Sequence, residues 1–202
     1  MAKRIGSKQE PLAPALETAI QLQAAFGYFN RALFGGKLQN CWLKLDRLKG
    51  RRGGHFIPKY WDKPPAEAAS DGEKSHEIAI SATLSKRNPL RFVMSVLVHE
   101  MVHLQQFDHG KKYAGAYHGV EWGEMMDAIG LPPSATGKPG GRRTGRQMSH
   151  YIINGGPFDL AFKAMPPEIA LPWRSGLADQ DPAKPDKTKN KVKFSCACSQ
   201  VS

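Results

Sequence analysis

The segment His99-Glu100-Met101-Val102-His103 combines residue types that bind metal ions and move protons. Residues four apart on a helix project from one face, so the imidazoles of His99 and His103 can hold one metal ion. Glu100 follows the first histidine directly, and its carboxylate can take a proton from a water beside the ion. Zinc suits this chemistry because it lowers the pKa of water and polarises a carbonyl group. The spacing therefore predicts a zinc-dependent peptidase centre in which Glu100 is the general base.

The sequence around this segment is apolar over residues 92–107, which predicts a buried helix. Two imidazoles and a carboxylate are costly in such a helix unless they bind a ligand or form hydrogen bonds. A chance match, in which the histidines are simply hydrogen-bonded core residues, is the competing interpretation. The five-residue pattern inside a strongly helical context favours the metal site.

A catalytic zinc ion needs a third protein ligand, and the residues leave several candidates open. His109 stands where the metzincin pattern has its third histidine, but Gln106 replaces the glycine that breaks the helix in that pattern. His118 is a second candidate, placed just before another predicted helix. Glu121 and Glu124 on that helix are carboxylate alternatives.

The elements around the motif predict an α+β fold with a zincin-like arrangement: an N-terminal helix, a small sheet of about three strands, the metal helix and a ligand-bearing helix. Helical periodicity covers residues 14–34, and Gly35-Gly36 ends it. Asn88 and Pro89 form a favourable helix start, and Gly110 a favourable end. A last helix is predicted over residues 119–129.

Short apolar or alternating runs predict three strands, at residues 41–45, 55–57 and 76–81. The glycine-rich residues 50–54 are interpreted as a turn from which the second strand returns. Residues 58–74 are polar and proline-rich and are interpreted as a loop.

The remaining histidines and the tryptophans receive structural interpretations. His55, His76 and His150 lie in predicted strands or before an apolar stretch. The four tryptophans are predicted to be core or half-buried residues: Trp42, Trp61, Trp122 and Trp173.

The chain divides into a flexible basic tail (1–10), a metallopeptidase domain (11–133), and a Gly/Pro/Arg-rich arm with an apolar segment that packs on the core (134–178). A mobile basic tail (179–202) follows. The net charge is +11, and residues 136–202 hold more than half of the excess. A basic excess favours polyanionic partners, so sequence-independent DNA binding is expected beside a protein substrate.

Three cysteines without framework spacing argue against a secreted disulfide scaffold. The basic N-terminus is not followed by an apolar signal-peptide core, and no apolar run reaches membrane-spanning length. We therefore expect a soluble, cytoplasmic protein without a membrane partner.

The chain resembles the SprT-like domain, the metallopeptidase domain shared by bacterial SprT proteins and the Spartan DNA–protein crosslink proteases. The resemblance covers about residues 16–133, and its last portion, Ile129-Gly130-Leu131-Pro132-Pro133-Ser134, is similar to phage- or plasmid-type members. The other matching features are Phe29-Asn30-Arg31-Ala32-Leu33-Phe34-Gly35-Gly36-Lys37-Leu38, Gly54-His55-Phe56, Glu77-Ile78-Ala79-Ile80-Ser81, His99-Glu100-Met101-Val102-His103, and His118-Gly119 before Trp122.

This resemblance implies that His99, His103 and His118 bind zinc, that Glu100 is the base, and that the substrates are DNA-associated proteins. His109 is then interpreted as an exposed loop histidine. Many relatives continue into a zinc ribbon, but here only Cys196 and Cys198 are present. Two thiolates cannot complete a four-ligand site, so this tail is interpreted as a truncated or degenerate ribbon. A nucleic-acid-binding protein with a structural or silent zinc site is the alternative, which the presence of Glu100 disfavours.

Overall fold

The computed structural model describes residues 12–48, 52–64, 72–111 and 117–173. The basic tail 1–10, the tail 179–202 with Cys196 and Cys198, and parts of the predicted segments 50–54 and 58–74 lie outside the described residues. The described residues form a mixed α+β fold with an N-terminal helix and a small three-stranded sheet, as predicted.

Helix α1 spans Pro14–Phe34 and has the bounds that its periodicity predicts. Gly35 ends it in the left-handed conformation, at φ 62°, which glycine adopts without a steric penalty. One face of α1 is buried, with Phe26 and Phe29 completely inaccessible. The helix therefore forms one wall of the core.

The sheet contains β1 (Trp42–Asp46), β2 (Gly54–Lys63) and β3 (Glu73–Ser81), in the order β1-β3-β2. Strand β1 is parallel to β3, and β2 is antiparallel to it. The prediction that β2 returns beside β1 is therefore wrong. Sequence proximity favours a hairpin, but β3 inserts between the two strands through pairing that no local signal specifies.

The loop predicted over residues 58–74 is also wrong at both ends, because β2 continues to Lys63 and β3 begins at Glu73. Pro58 does not end β2, since the strand lies at the edge of the sheet, where a missing N–H is tolerated. The pairing register shifts between Ile57 and Trp61, and Lys59 has a positive φ of 51°. This irregularity accommodates the proline.

Helix α2 (Ala82–Arg87) was not predicted, and it changes the role of Asn88. Asn88 ends α2, and its Nδ2 atom donates to the carbonyl oxygen of Leu84 at 3.1 Å. Pro89 is instead the residue before helix α3, which spans Leu90–His109 and ends at Gly110 as predicted. Helix α3 is buried along most of its length and packs against β2, β3 and α1.

Helix α4 spans Val120–Ala128, close to the predicted 119–129. The chain then forms a two-stranded ribbon of β4 (Pro133–Ser134) and β5 (Ser149–His150), followed by helix α5 (Pro157–Lys163), which the sequence did not predict.

Helix α5 packs on the N-terminal helix, since the fully buried Phe158 ring stacks on Phe29 at 5.7 Å. The hydroxyl of Tyr28 also donates to the carbonyl oxygen of Ala161 at 2.7 Å. Within the described ranges, no helix has both the length and the apolar character of a membrane span.

Candidate metal centre

Helix α3 presents His99 and His103 one turn apart, with their ring centroids separated by 5.2 Å. The position of the helix inside the core explains why these polar side chains are largely removed from solvent. His99 is 7% exposed. The local sequence thus dictates the pair, because residues four apart on a helix share a face.

His118 joins this pair from a different element. It lies just before α4, and its backbone N–H and carbonyl form reciprocal hydrogen bonds with Gly145, at 2.9 and 3.0 Å. Its Nε2 atom lies 3.1 Å from Nε2 of His103. The ligand atoms of His99, His103 and His118 all lie within 4.8 Å of one another, so the three histidines could hold a metal ion.

The donor set fits a zinc ion. Two nitrogens bound to a tetrahedral zinc at its usual bond length lie about 3.3 Å apart, close to the 3.1 Å between the His103 and His118 nitrogens. The Nδ1 atom of His118 lies 2.9 Å from the carbonyl oxygen of Gly145. A carbonyl can only accept, so Nδ1 carries the proton and Nε2 keeps its lone pair for a ligand.

The electrostatics keep these imidazoles neutral, the form that binds metals. Burial lowers the pKa of His103 to about 3, with a further contribution from His118. Burial and then the neighbouring histidines hold the pKa of His99 well below its usual range. Burial also lowers the pKa of His118, against the opposing effect of its hydrogen bond to Gly145. Protons therefore compete little with a metal ion at neutral pH.

Glu100, the residue after His99 on α3, is buried, and burial raises its pKa to about 8. The carboxylate lies against the first residue of β2, Gly54. A Cβ atom at this position would lie 2.7 Å from Glu100 Oε1 and 3.0 Å from the Ala79 carbonyl oxygen. Only glycine leaves room there, so β2 and α3 together create the space that Glu100 occupies.

Comparison with known proteins identifies the family of this chain. The family model of the SprT-like family matches residues 22–138, more than half of the chain. The chain belongs to the SprT-like family. A search among curated proteins found no match. The matched span of the SprT-like domain contains Glu100 and the three clustered histidines, and it ends before Gly145.

The other ligand candidates of this SprT-like chain lie elsewhere. Helix α3 continues unbroken through Gln106, and His109 is exposed at its last turn. Glu121 accepts a hydrogen bond from the backbone N–H of Lys111 at 2.7 Å, and Glu124 is exposed. Among the described residues, the grouping that could hold a metal ion contains His118 and none of these three.

Two residues of the SprT-like site were assigned only structural interpretations from the sequence. Trp122 is fully buried and stacks on His103, with ring centroids 5.0 Å apart, while its edge meets His118 at 4.4 Å. Its position four residues after His118 in a predicted helix was an available signal. His150 lies with its Nδ1 atom 3.1 Å from Nδ1 of His99. No spacing signal could reveal this contact, because 51 residues separate the two positions.

His55 and His76 form hydrogen bonds away from the cluster. His55 Nε2 lies 2.9 Å from Glu77 Oε1 on the sheet. His76 Nδ1 accepts from the backbone N–H of Lys59 at 2.9 Å, and its Nε2 lies 2.7 Å from Gln39 Nε2.

Proposed function

We propose that this chain is a zinc-dependent endopeptidase with a zincin-like site. The observation that carries the proposal is the cluster of three neutral imidazoles, contributed by α3 and the segment before α4, together with the buried carboxylate that follows His99 on α3. A purely structural zinc site needs four closed ligands and no carboxylate in the position of Glu100. Membership of the SprT-like family agrees with a metallopeptidase-like function.

The ligands in this proposal are His99, His103 and His118, and the base is Glu100. Zinc, when bound, supplies Lewis-acid polarisation of the scissile carbonyl and acidifies water. In its ionised form, Glu100 can accept a proton from the attacking water. Glu100 then passes that proton to the leaving amine.

Strand β2 offers a place for an extended substrate. It is the last strand in the order β1-β3-β2, and its first residue, Gly54, lies against Glu100. An extended peptide that pairs with an edge strand gains main-chain hydrogen bonds. We propose that a protein substrate lies along β2, so that its backbone passes the catalytic carboxylate.

Casein cleavage tests this function. The purified protein is assayed as isolated, after chelation, and after readdition of zinc, calcium or magnesium. We expect chelation to abolish cleavage and zinc alone to restore it. Cleavage that persists after chelation would mean that another site performs the hydrolysis.

DNA binding is a second candidate function, supported by the net charge of +11 and by exposed aromatic rings on the sheet. Trp42 stacks on Trp61 with centroids 4.6 Å apart, and both Trp42 and Tyr60 are more than half exposed. Exposed aromatic rings can stack on the bases of single strands. Under this proposal the peptidase acts on DNA-associated proteins.

Fluorescence anisotropy with a labelled single-stranded oligonucleotide at low salt tests the second candidate. Trp42→Ala is expected to weaken binding, since stacking contributes about 1–3 kcal/mol per base. Trp173→Ala is a matched control, because this half-exposed tryptophan donates to Glu17 far along the chain. An absence of binding by the parent protein would refute DNA binding.

A further inference from the structure

A fourth buried histidine contacts the candidate metal centre. His150, in β5, is 2% exposed. Its Nδ1 atom lies 3.1 Å from Nδ1 of His99, and its Nε2 atom lies 2.8 Å from Ser95 Oγ. The Ser95 hydroxyl in turn donates to the carbonyl oxygen of Phe92 at 2.7 Å. These contacts form a continuous chain from a helix carbonyl to a candidate metal ligand.

Only one placement of the protons is consistent with this series of hydrogen bonds. Ser95 has a single O–H, and the Phe92 carbonyl, which can only accept, takes it. Ser95 Oγ must then accept from His150, so the proton of His150 is on Nε2. The bare Nδ1 of His150 accepts from Nδ1–H of His99. His99 is therefore left with a lone pair on Nε2, as a metal ligand requires.

The reverse arrangement would disable the ligand. If the Ser95 hydroxyl donated to His150, the proton of His150 would move to Nδ1 and would be donated to His99. The proton of His99 would then be on Nε2, where it blocks metal binding. The Phe92 carbonyl selects against this arrangement because it holds the Ser95 hydroxyl.

We propose that His150 is a positioning residue that holds His99 in the Nδ1–H tautomer. Ser95, in turn, determines which ring nitrogen of His150 is protonated and therefore which nitrogen of His99 is. The proposal rests on the proposed metal centre. His118 receives matching support from the carbonyl of Gly145, at 2.9 Å from its Nδ1 atom. Both hydrogen-bond partners, His150 and the Gly145 carbonyl, lie beyond residue 138, where the family match ends. The segment 145–150 thus supplies the hydrogen bonds that orient two ligands carried by the SprT-like domain.

A purely structural role for His150 would depend on ring shape rather than on hydrogen bonding. Its ring stacks on Phe92, with centroids 5.9 Å apart and planes inclined by 22°. His150→Phe keeps the ring and loses the acceptor for His99. His150→Asn loses the ring but keeps an oxygen near the position of Nδ1. The two variants therefore separate packing from positioning.

The first measurement is zinc affinity, by competition with a chromophoric chelator, together with thermal unfolding. Loss of a hydrogen-bond partner of a ligand typically costs 10–100-fold in metal affinity, and this loss is expected for His150→Phe. His150→Asn should recover most of the affinity although it unfolds at a lower temperature. His76→Phe is the matched control, because it replaces another buried histidine that contacts aromatic rings. It should leave zinc affinity unchanged. Parental affinity in His150→Phe, or a weaker affinity in His150→Asn than in His150→Phe, would overturn the proposal.

The second measurement is the tautomer of His99 in the metal-free protein, from long-range ¹H–¹⁵N NMR correlations. We expect the proton on Nδ1 in the parent and a mixture of tautomers in Ser95→Ala. A proton on Nε2 of His99 in the parent would overturn the proposal even if the enzyme is active. If the parent shows the Nδ1–H tautomer but binds no zinc, the proposed function fails and the tautomer assignment stands.

Discussion

Two buried carboxylates, each accompanied by histidine, lie on opposite faces of the same sheet and have opposite character. Glu77, on β3, receives hydrogen bonds from Trp61 Nε1 at 3.0 Å and lies near His55 Nε2 and Lys44 Nζ, at 2.9 and 3.2 Å. Burial opposes its ionisation, but these hydrogen bonds and the charge of Lys44 outweigh burial and lower its pKa. Glu100, against Gly54, has a pKa raised to about 8 by burial.

The contrast separates a polar cluster that is compensated within the chain from one that is not. Hydrogen-bond donors and the Lys44 ammonium compensate the charge of Glu77, so this cluster requires no bound ion. Burial is what shifts the pKa of Glu100, which follows one of three clustered neutral imidazoles in the chain, and a bound cation would compensate these groups. Variants in the two clusters should therefore have opposite consequences for metal binding, catalysis and pH dependence.

The largest expected difference is in metal retention. His103→Ala should lose the zinc of the purified protein and all peptidase activity, because two remaining imidazoles bind a metal ion weakly. His55→Ala, which removes the histidine of the Glu77 cluster, should retain zinc. Metal content is measured by mass spectrometry after gel filtration. Full occupancy in His103→Ala would show that this residue is not a ligand.

Glu100→Gln should keep zinc and lose activity by about 10²–10⁴-fold, since the amide cannot accept a proton. Glu77→Gln is the matched control in the other cluster. It should retain casein cleavage and lower the melting temperature, because Lys44 loses the buried one of its two carboxylate partners, Glu77 and Asp46. Equal cleavage by Glu100→Gln and the parent would remove Glu100 from the mechanism.

Gly54→Ala should displace the Glu100 carboxylate, because the added Cβ would lie 2.7 Å from Oε1. Misplacement of a catalytic group by about 1 Å can cost 10²-fold in rate, and zinc content should not change. The neighbouring Gly53→Ala is the control, since its Cβ would meet Val96 at an ordinary 3.4 Å. Equal losses of activity in both variants, measured in parallel, would contradict the proposal that Gly54 leaves room for the Glu100 carboxylate.

The smallest expected difference concerns stability against pH in the chelated protein. Because the pKa of Glu100 is raised in the folded protein, the stability that its protonated form contributes is full below pH 4.5 and is lost as pH rises through about 8. Glu100→Gln should therefore gain melting temperature relative to the parent as pH rises through this window. The pKa of Glu77 is shifted in the opposite direction. The stability that Glu77 contributes is therefore present above pH 4.5 and is lost as pH falls through its pKa in the folded protein.

Melting curves across this pH range should show the destabilisation by Glu77→Gln shrinking toward acid pH. If the melting-temperature difference between variant and parent changed in the same direction for both glutamine variants as pH rises, the two carboxylates would not differ as described.

Local spacing predicted the parts of the molecule that depend on neighbouring residues. The pairing of His99 with His103 and the bounds of α1 follow from helical periodicity, which the sequence displays directly. His118 remained one of several ligand candidates, because its approach depends on how the chain turns back after α3. The insertion of β3 between β1 and β2 depends on pairing between distant segments. The contact between His150 and His99 likewise arises only when the ribbon of β4 and β5 folds over α3.

The most direct test of the metal centre is anomalous diffraction at the zinc edge from crystals of the purified protein. One peak per chain is expected, about 2.0–2.1 Å from an imidazole nitrogen of each of His99, His103 and His118. An absent peak, or a peak coordinated by His109 in place of His118, would contradict this expectation.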